Sequence, residues 1–369
     1  MIRKAVAGFV DEEVIPRATE VDNQGEYPEE WFREIGRMGI FGLRYPQKSG
    51  GSGGNTTLFC IAQEEFGRGL MSLAAAVGMQ CLMGTDFLYR FGTKEMIEQY
   101  FLPAMRGEQI GIVCFTEPEA GSDLGSVRTL ATEDGDGYII NGMKTWITNA
   151  PNGDFYTVLC QTDPAKKLKG LDFFFVPRKT PGLAVGKPFE IMGTRTSKIS
   201  EVYFSDCRIP SEYRFGPKGS GLKNLMGILA EIRTQVAFLG VGLQRAVLAD
   251  SIRYARERRQ FGHPIGDYQL IRAKISNMAV DLEASRLLAY QASRMVDKKK
   301  ECLKQATMAK YFATEAACRA ADQITRIYGG YGFSMEYPAQ RYYRDHRFLL
   351  YGGGSHEVLL TNIARWEGL

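Results

Sequence analysis

The period of the apolar residues changes twice along the 369-residue chain, and that restricts it to an α, β, α order of domains. From residue 1 to 108 the spacing is helical. Val6, Phe9, Val10 and Ile15 mark one amphipathic face, and Trp31, Phe32, Ile35 and Met38 mark another. Pro28 opens the second at a first-turn position where a missing N–H costs nothing. A glycine-rich loop at 50–55 precedes helices near 57–66 and 94–105 and an apolar stretch over 73–91. From 109 to 213 the period is that of strands, near 110–115, 137–141, 155–160, 171–176 and 201–204, with Asp134-Gly135-Asp136-Gly137 as a hairpin turn. Short strands joined by turns with no helix between them predict an antiparallel β domain. From 214 to 369 long helical segments at 222–256, 268–296 and 302–328 predict a bundle that buries further faces against other subunits. The two helical blocks would each expose an apolar stripe unless packed together around the β domain.

Composition excludes several functions. Lys plus Arg at 46 against Asp plus Glu at 42 gives a dispersed +4, which does not suit nucleic acid, and the Lys298–Lys300 run reads as a solvated turn. Seven scattered cysteines without a CxxC pair argue against a disulfide framework or zinc site. Three histidines at 263, 346 and 356 share no ligand spacing, so no metal is expected and redox chemistry must come from an organic cofactor. No window is expected to supply the roughly 20 apolar residues of a membrane span. The N-terminus lacks an apolar leader and cleavage site, so a cytoplasmic location is expected.

Three segments carry candidate chemistry. Residues 114–123 (CFTEPEAGSD) run from a strand into a turn whose small Gly121 and Ser122 let a ligand approach backbone N–H groups. In 144–149 (KTWITN) strand alternation places Trp146 and Thr148 on one face, where a ring can stack and a hydroxyl can bond to it. In 256–262 (RERRQFG) guanidinium groups at a helix end could hold a pyrophosphate. Each also fits a plain structural role: a Pro/Gly turn, core packing, and a solvated C-terminal turn.

In this order and spacing the three resemble the acyl-CoA dehydrogenase family. Met192-Gly193-Thr194-Arg195, residues 326–332 (RIYGGYG) and Tyr343-Arg344-Asp345 extend the resemblance over the whole chain, which begins partway into the family's first helix. The resemblance implies an α+β multi-domain fold: an N-terminal helical domain (1–108), a middle antiparallel β domain (109–213) and a C-terminal four-helix bundle (214–369). It implies FAD as cofactor, an acyl-CoA or enoyl-CoA thioester as substrate, an electron-transferring flavoprotein as electron acceptor, and a homotetramer sharing each FAD between subunits. Carried over by position, the flavin contacts fall on Phe115, Thr116, Gly121, Ser122, Trp146 and Thr148. Arg258, Phe261 and Gln269, with Arg326, Gly329 and Gly330, meet a neighbour's FAD, and Gly354, Ser355 and Glu357 lie by its adenine or pyrophosphate side. Ser122, Arg233, Gly352 and Gly353 fall on the substrate side.

One departure stands out. Most members carry a glutamate after the Arg-Asp motif that removes the substrate's α-proton, but here Gly353 occupies its place. Other members place that glutamate immediately before the arginine matched by Arg233, where Ile232 stands; Glu231 is one residue too early, a rotation of roughly 100°. Asp86, in an apolar stretch matching the helix along the acyl pocket, is the replacement candidate, since desolvation would raise its pKa towards that of a useful base. A plain Asp86–Arg90 ion pair or a turn cap is the alternative. A base away from the α-carbon suits a cyclic enoyl thioester such as cyclohex-1-ene-1-carboxyl-CoA, oxidised by 1,4-elimination to the conjugated diene, as in cyclohex-1-ene-1-carboxyl-CoA dehydrogenases. An ordinary 1,2-dehydrogenase using Glu231 and a non-dehydrogenating, oxygenase-like relative remain open.

Overall fold

The computed structural model describes residues 1–369. The N-terminal helices are α1 (Ile2–Phe9), α2 (Ile15–Gln24), α3 (Glu29–Arg37), α4 (Thr56–Gly69), α5 (Met71–Gly78), α6 (Asp86–Phe91), α7 (Lys94–Met96) and α8 (Leu102–Met105). Wider π-helical turns at Val10–Val14, Met79–Gly84 and Ile97–Phe101 continue α1, α5 and α7. The sheet contains β1 (Gly111–Cys114), β2 (Leu130–Asp134), β3 (Gly137–Ile147), β4 (Phe155–Gln161), β5 (Leu171–Pro177), β6 (Leu183–Val185), β7 (Ser200–Pro210) and β8 (Arg214–Phe215). Its order is β6-β7-β3-β2-β4-β5-β8, with β1 beside β4. Pairing is antiparallel except that β1, and β2 at Leu130, run parallel to β4. The hairpin turn forms where its glycines predict it, with Gly135 at φ +60° between β2 and β3.

Both faces of the sheet are covered, which explains the unbroken apolar run of β5. Phe173 and Phe175 join the core shared with the helices, whereas Phe174 and Val176 belong to a separate core on the other face. The shared core is continuous from Val6 to Leu349, so the two helical blocks do cover each other's apolar stripes.

The C-terminal half contains α9 (Gly221–Glu257), a two-residue hairpin β9 (Arg259–Gln260) and β10 (His263–Pro264), α10 (Gln269–Asp297), α11 (Leu303–Tyr328), α12 (Pro338–Asp345) and α13 (His356–Trp366). Helices α4 and α9 touch closely because Gly242 has no side chain: a Cβ there would lie 2.2 Å from the Glu64 carbonyl oxygen. Nearby, the fully buried Glu64 and Glu65 are held by Arg3 and Arg245, tying α1, α4 and α9 together.

One expectation needs correction. Met71–Phe91 and Gly221–Glu257 are both long and apolar enough to cross a bilayer, yet 89% and 72% of their apolar windows are buried inside the fold. Burial on nearly all sides makes a core helix apolar all round, as lipid would.

Candidate active site

The first site segment is fixed from beneath by a buried ion pair. Lys144 Nζ lies 2.7 Å from Glu117 Oε1 and donates to the Phe115 carbonyl, while Glu117 also accepts from the N–H groups of Arg128 and Thr129. The Thr145 N–H donates to the Thr116 carbonyl at 2.9 Å, joining the turn after β1 to the end of β3. Phe115 and Thr116 are half-buried, and Gly121 and Ser122 are exposed. Trp146 and Thr148 do not share a face as alternation predicted. A bulge between Lys144 and Ile147 puts Trp146 at φ +59°, leaving it 60% exposed beside Phe189 (ring centroids 5.0 Å), while Thr148 lies buried just past the strand.

A second set lies beyond the far end of α9. Arg258 is exposed, forms no ion pair and lies over the Tyr331 ring. Phe261 is 91% exposed at φ +53°. Arg258, Gly329 and Gly330 line a groove of about 600 Å³ floored by Tyr254 and Tyr328, whose rings stack 3.9 Å apart. A Cβ on either glycine would meet nothing within 4 Å. Gln269 is exposed at the start of α10, and Arg326 pairs with Asp322 at 2.7 Å. An uncovered aromatic ring in one set and an uncompensated cation beside open glycine backbone in the other fit a flavin ring and a pyrophosphate. No hydrogen bond or ion pair joins the two sets within the protomer.

A third group is the Gly352–Gly354 turn that precedes α13, where the family resemblance leads to a glutamate and Gly353 stands. Gly353 and Gly354 have φ +74° and +107°, a region L side chains rarely adopt. A Cβ on Gly353 would sit 3.6 Å from Ile232 Cγ2, 3.7 Å from Val236 Cγ2 and 3.9 Å from Arg233 Cγ, ordinary contacts, so the positive φ rather than crowding is what strains a substitution there. Arg233, 4% exposed, donates from Nε to the Gly353 carbonyl at 3.2 Å and from Nη1 to Thr307 Oγ1 at 2.7 Å; its Nη2 has no partner, and no carboxylate lies within ion-pair distance. Burial lowers its pKa to about 10, so it remains a cation at neutral pH. The Gly353 N–H also has no partner. Gly352, Ser355 and the exposed Glu357 complete the turn and the start of α13.

The two candidate bases sit together, held by arginines. Arg44, almost fully buried, donates from Nη2 and Nε to Glu231 Oε2 at 2.6 and 2.9 Å and reaches Asp86 Oδ1 at 3.5 Å. Thr56 Oγ1 donates to the same Glu231 oxygen. Arg90 Nε lies 2.7 Å from Asp86 Oδ2, in an orientation that makes an ion pair without a hydrogen bond. The π-helical turn before α6 sets this position: Thr85 Oγ1 reaches back to the Gln80 carbonyl, the Tyr45 hydroxyl contacts Thr85, and Arg44 Nη1 binds the Cys81 carbonyl. Burial raises the Asp86 carboxyl above its ordinary range despite Arg44 and Arg90. Glu231 thus faces Arg44 and Thr56, and Ile232 takes the side next to Gly353. No local signal marks Arg44, whose partners lie 42 and 187 residues away.

Sequence models of the acyl-CoA dehydrogenase N-terminal, middle and C-terminal domains match residues 1–108, 113–207 and 219–368. Benzylmalonyl-CoA dehydrogenase of Aromatoleum aromaticum is 45% identical over 365 residues, covering 99% of this chain and 96% of that protein. A subunit of the caffeyl-CoA reductase–Etf complex of Acetobacterium woodii is 38% identical, covering 96% and 94%. The butyryl-CoA dehydrogenase structure from Megasphaera elsdenii superposes with a TM-score of 0.96 at 33% identity, covering 99% and 97%. With all three domains matched and the fold shared throughout, the chain belongs to the acyl-CoA dehydrogenase family of FAD-dependent oxidoreductases.

Proposed function

We propose that the protein oxidises a 2-carboxyacyl-CoA thioester with a bulky or aromatic 3-substituent, of the benzylmalonyl-CoA type, to the enoyl-CoA with loss of CO2. The observation that carries this is the turn at Gly353, where a buried, uncompensated Arg233 stands beside the room left by the family's missing carboxylate. A carboxylate on the substrate's α-carbon supplies the negative charge there. The electron pair that a base would free by taking the α-proton comes instead from the bond between the α-carbon and that carboxylate, which leaves as CO2. A hydride departs from the β-carbon, the α,β double bond forms, and no protein base is consumed. FAD, when bound, accepts the hydride.

The chain's own residues have defined tasks in this scheme. Arg233 orients the carboxylate with its free Nη2, and the unpartnered Gly353 N–H polarises the thioester carbonyl, stabilising charge that develops on the carbonyl oxygen. Trp146, Thr116, Phe115, Gly121, Ser122 and Thr148 hold the flavin end. Arg258, Phe261, Gln269, Arg326, Gly329 and Gly330 complete a neighbour's cofactor site, and Gly354, Ser355 and Glu357 lie towards its adenine or pyrophosphate side. Electrons pass to an electron-transferring flavoprotein in the cytoplasm, a partner class named in one relative and one structural neighbour. Anoxic mixing with benzylmalonyl-CoA is the test: one CO2 released per flavin reduced is expected, and flavin bleaching without CO2 would refute the scheme.

The buried Asp86, with its raised pKa, favours a second scheme, 1,4-elimination from cyclohex-1-ene-1-carboxyl-CoA with Asp86 as base. That scheme requires Asp86→Asn to slow flavin reduction by the cyclic ester by about 10²-fold or more. Equal reduction rates in wild type and a folded, flavin-bound variant eliminate it.

The tetramer that the resemblance implies is supported by the separation of the two cofactor sets, which calls for sharing between subunits, and by α10, where Leu270, Val280 and Leu287 are 79%, 69% and 71% exposed. Size-exclusion chromatography should give a tetramer with one FAD per chain, and charged residues at Val280 and Leu287 should lower both the mass and the flavin content. A flavin-saturated monomer contradicts shared sites.

A further inference from the structure

The Gly352–Gly354 turn is held by a second buried cation that the scheme above leaves without a task. Lys310 on α11 is fully buried, and its Nζ donates to the Gly354 carbonyl at 2.7 Å and the Leu350 carbonyl at 3.4 Å. A lysine ammonium has three protons to donate, and fully buried lysines ordinarily have a carboxylate partner. Lys310 has none within ion-pair distance. The charged and titratable groups around it come from three helices. Arg233 approaches from α9. Tyr311, Glu315 and Cys318 share its own helix. His356 and Glu357 stand at the start of α13. Glu315 is taken up by His356 Nδ1 at 2.7 Å, His356 Nε2 meets Thr314 Oγ1, and Glu357 is exposed. Two buried cations therefore pin adjacent carbonyls of one glycine turn with no fixed anion to balance either.

We propose that Lys310 is a positioning residue for the substrate's carboxylate: with Arg233 it fixes the carbonyls of the Gly352–Gly354 turn, and its protonation is coupled to binding of an anion beside Gly353. This rests on the decarboxylating scheme and deepens it. Burial and the nearby Arg233 lower the Lys310 ammonium to about 7, so above neutrality the free site is partly deprotonated. An anion favours the charged form and raises that value, so binding above neutrality takes up a proton. The affinity for a carboxylated thioester then falls as pH rises through 7, by up to about tenfold per pH unit, and is flat below it.

Malonyl-CoA and acetyl-CoA are suitable probes, because they differ by the carboxylate and neither has a β-carbon to be oxidised. Their dissociation constants would be measured on the FAD-loaded enzyme between pH 6 and 9 from the flavin absorbance change. Their ratio cancels titration of the CoA phosphates. In wild type the preference for malonyl-CoA is expected to decline above pH 7. In Lys310→Arg, charged throughout, it should persist to pH 9, and in Lys310→Met it should be reduced by about tenfold or more at pH 6.5 and independent of pH. A pH-independent preference in wild type, or the wild-type profile in Lys310→Met, overturns the inference. No malonyl-CoA preference at any pH, with benzylmalonyl-CoA still oxidised and decarboxylated, overturns it too and leaves the reaction standing. The expected pH step without turnover of benzylmalonyl-CoA supports the anion site and overturns the reaction.

Discussion

Benzylmalonyl-CoA is expected to reduce the bound flavin about 10² to 10⁴ times faster than 3-phenylpropionyl-CoA, which differs only in lacking the carboxylate. That range is the usual loss when a reaction needing a positioned base must proceed without one, and the proposed scheme has none at the α-carbon, with Gly353 and Ile232 at the two positions the resemblance implies for it. Installing the missing base should narrow the ratio from both sides. In Gly353→Glu a carboxylate enters the room beside Ile232 and Val236, so oxidation of 3-phenylpropionyl-CoA should rise. Benzylmalonyl-CoA should bind less well, because the new carboxylate competes for Arg233. The φ of +74° there costs a side chain roughly 1–2 kcal/mol, so the variant should fold with reduced stability. Comparable wild-type rates for the two thioesters in stopped-flow reduction would show that an acid other than a loop glutamate reaches the α-proton.

Replacing Arg233 should produce a loss of similar size by a different route. Arg233→Met removes the charge opposite a buried carboxylate, an effect of about 2–5 kcal/mol, or roughly 30- to several-thousand-fold in kcat/KM for the carboxylated ester. Arg233→Lys keeps the charge but not the geometry of Nε on the Gly353 carbonyl and Nη1 on Thr307, so it should recover only part of this. Binding of acetyl-CoA, which brings no carboxylate, should change much less. An equal loss for both ligands would mean that Arg233 acts only by holding the turn or the CoA chain.

The order of domains was legible from residue period because each block buries a different geometry: one face of most helices, both faces of the central strands. The proposed loss of a loop base rests on the sequence alone, since Gly353 follows Arg344-Asp345 within a recognisable motif. Features that depend on distant contacts were not. Arg44 lies in an unremarkable loop and gains its character only where α6 and α9 bring Asp86 and Glu231 to it. Strand alternation misplaced Trp146 because a bulge of this kind leaves no mark in a run of good strand formers. The expectation of no window apolar enough to span a bilayer failed for α9 and for the stretch from α5 to α6, because largely buried core helices share the composition of membrane spans and only their burial in the fold sets them apart. Lys310 sits at a helical position whose neighbours in sequence say nothing of the carbonyls it meets.

The glycine turn also bears on how such an enzyme can change its chemistry over evolutionary time. Because a Cβ on Gly353 meets only ordinary contacts and the Gly353 carbonyl is fixed from outside the turn by Arg233, the main obstacle to a carboxylate there is the strain of a positive φ. Some glycine codons lie a single nucleotide from glutamate codons, so the step between an enzyme that takes a proton and one that releases CO2 is short. The fold imposes only a modest conformational penalty on that step, and a lineage could cross it in either direction as carboxylated or plain thioesters became available.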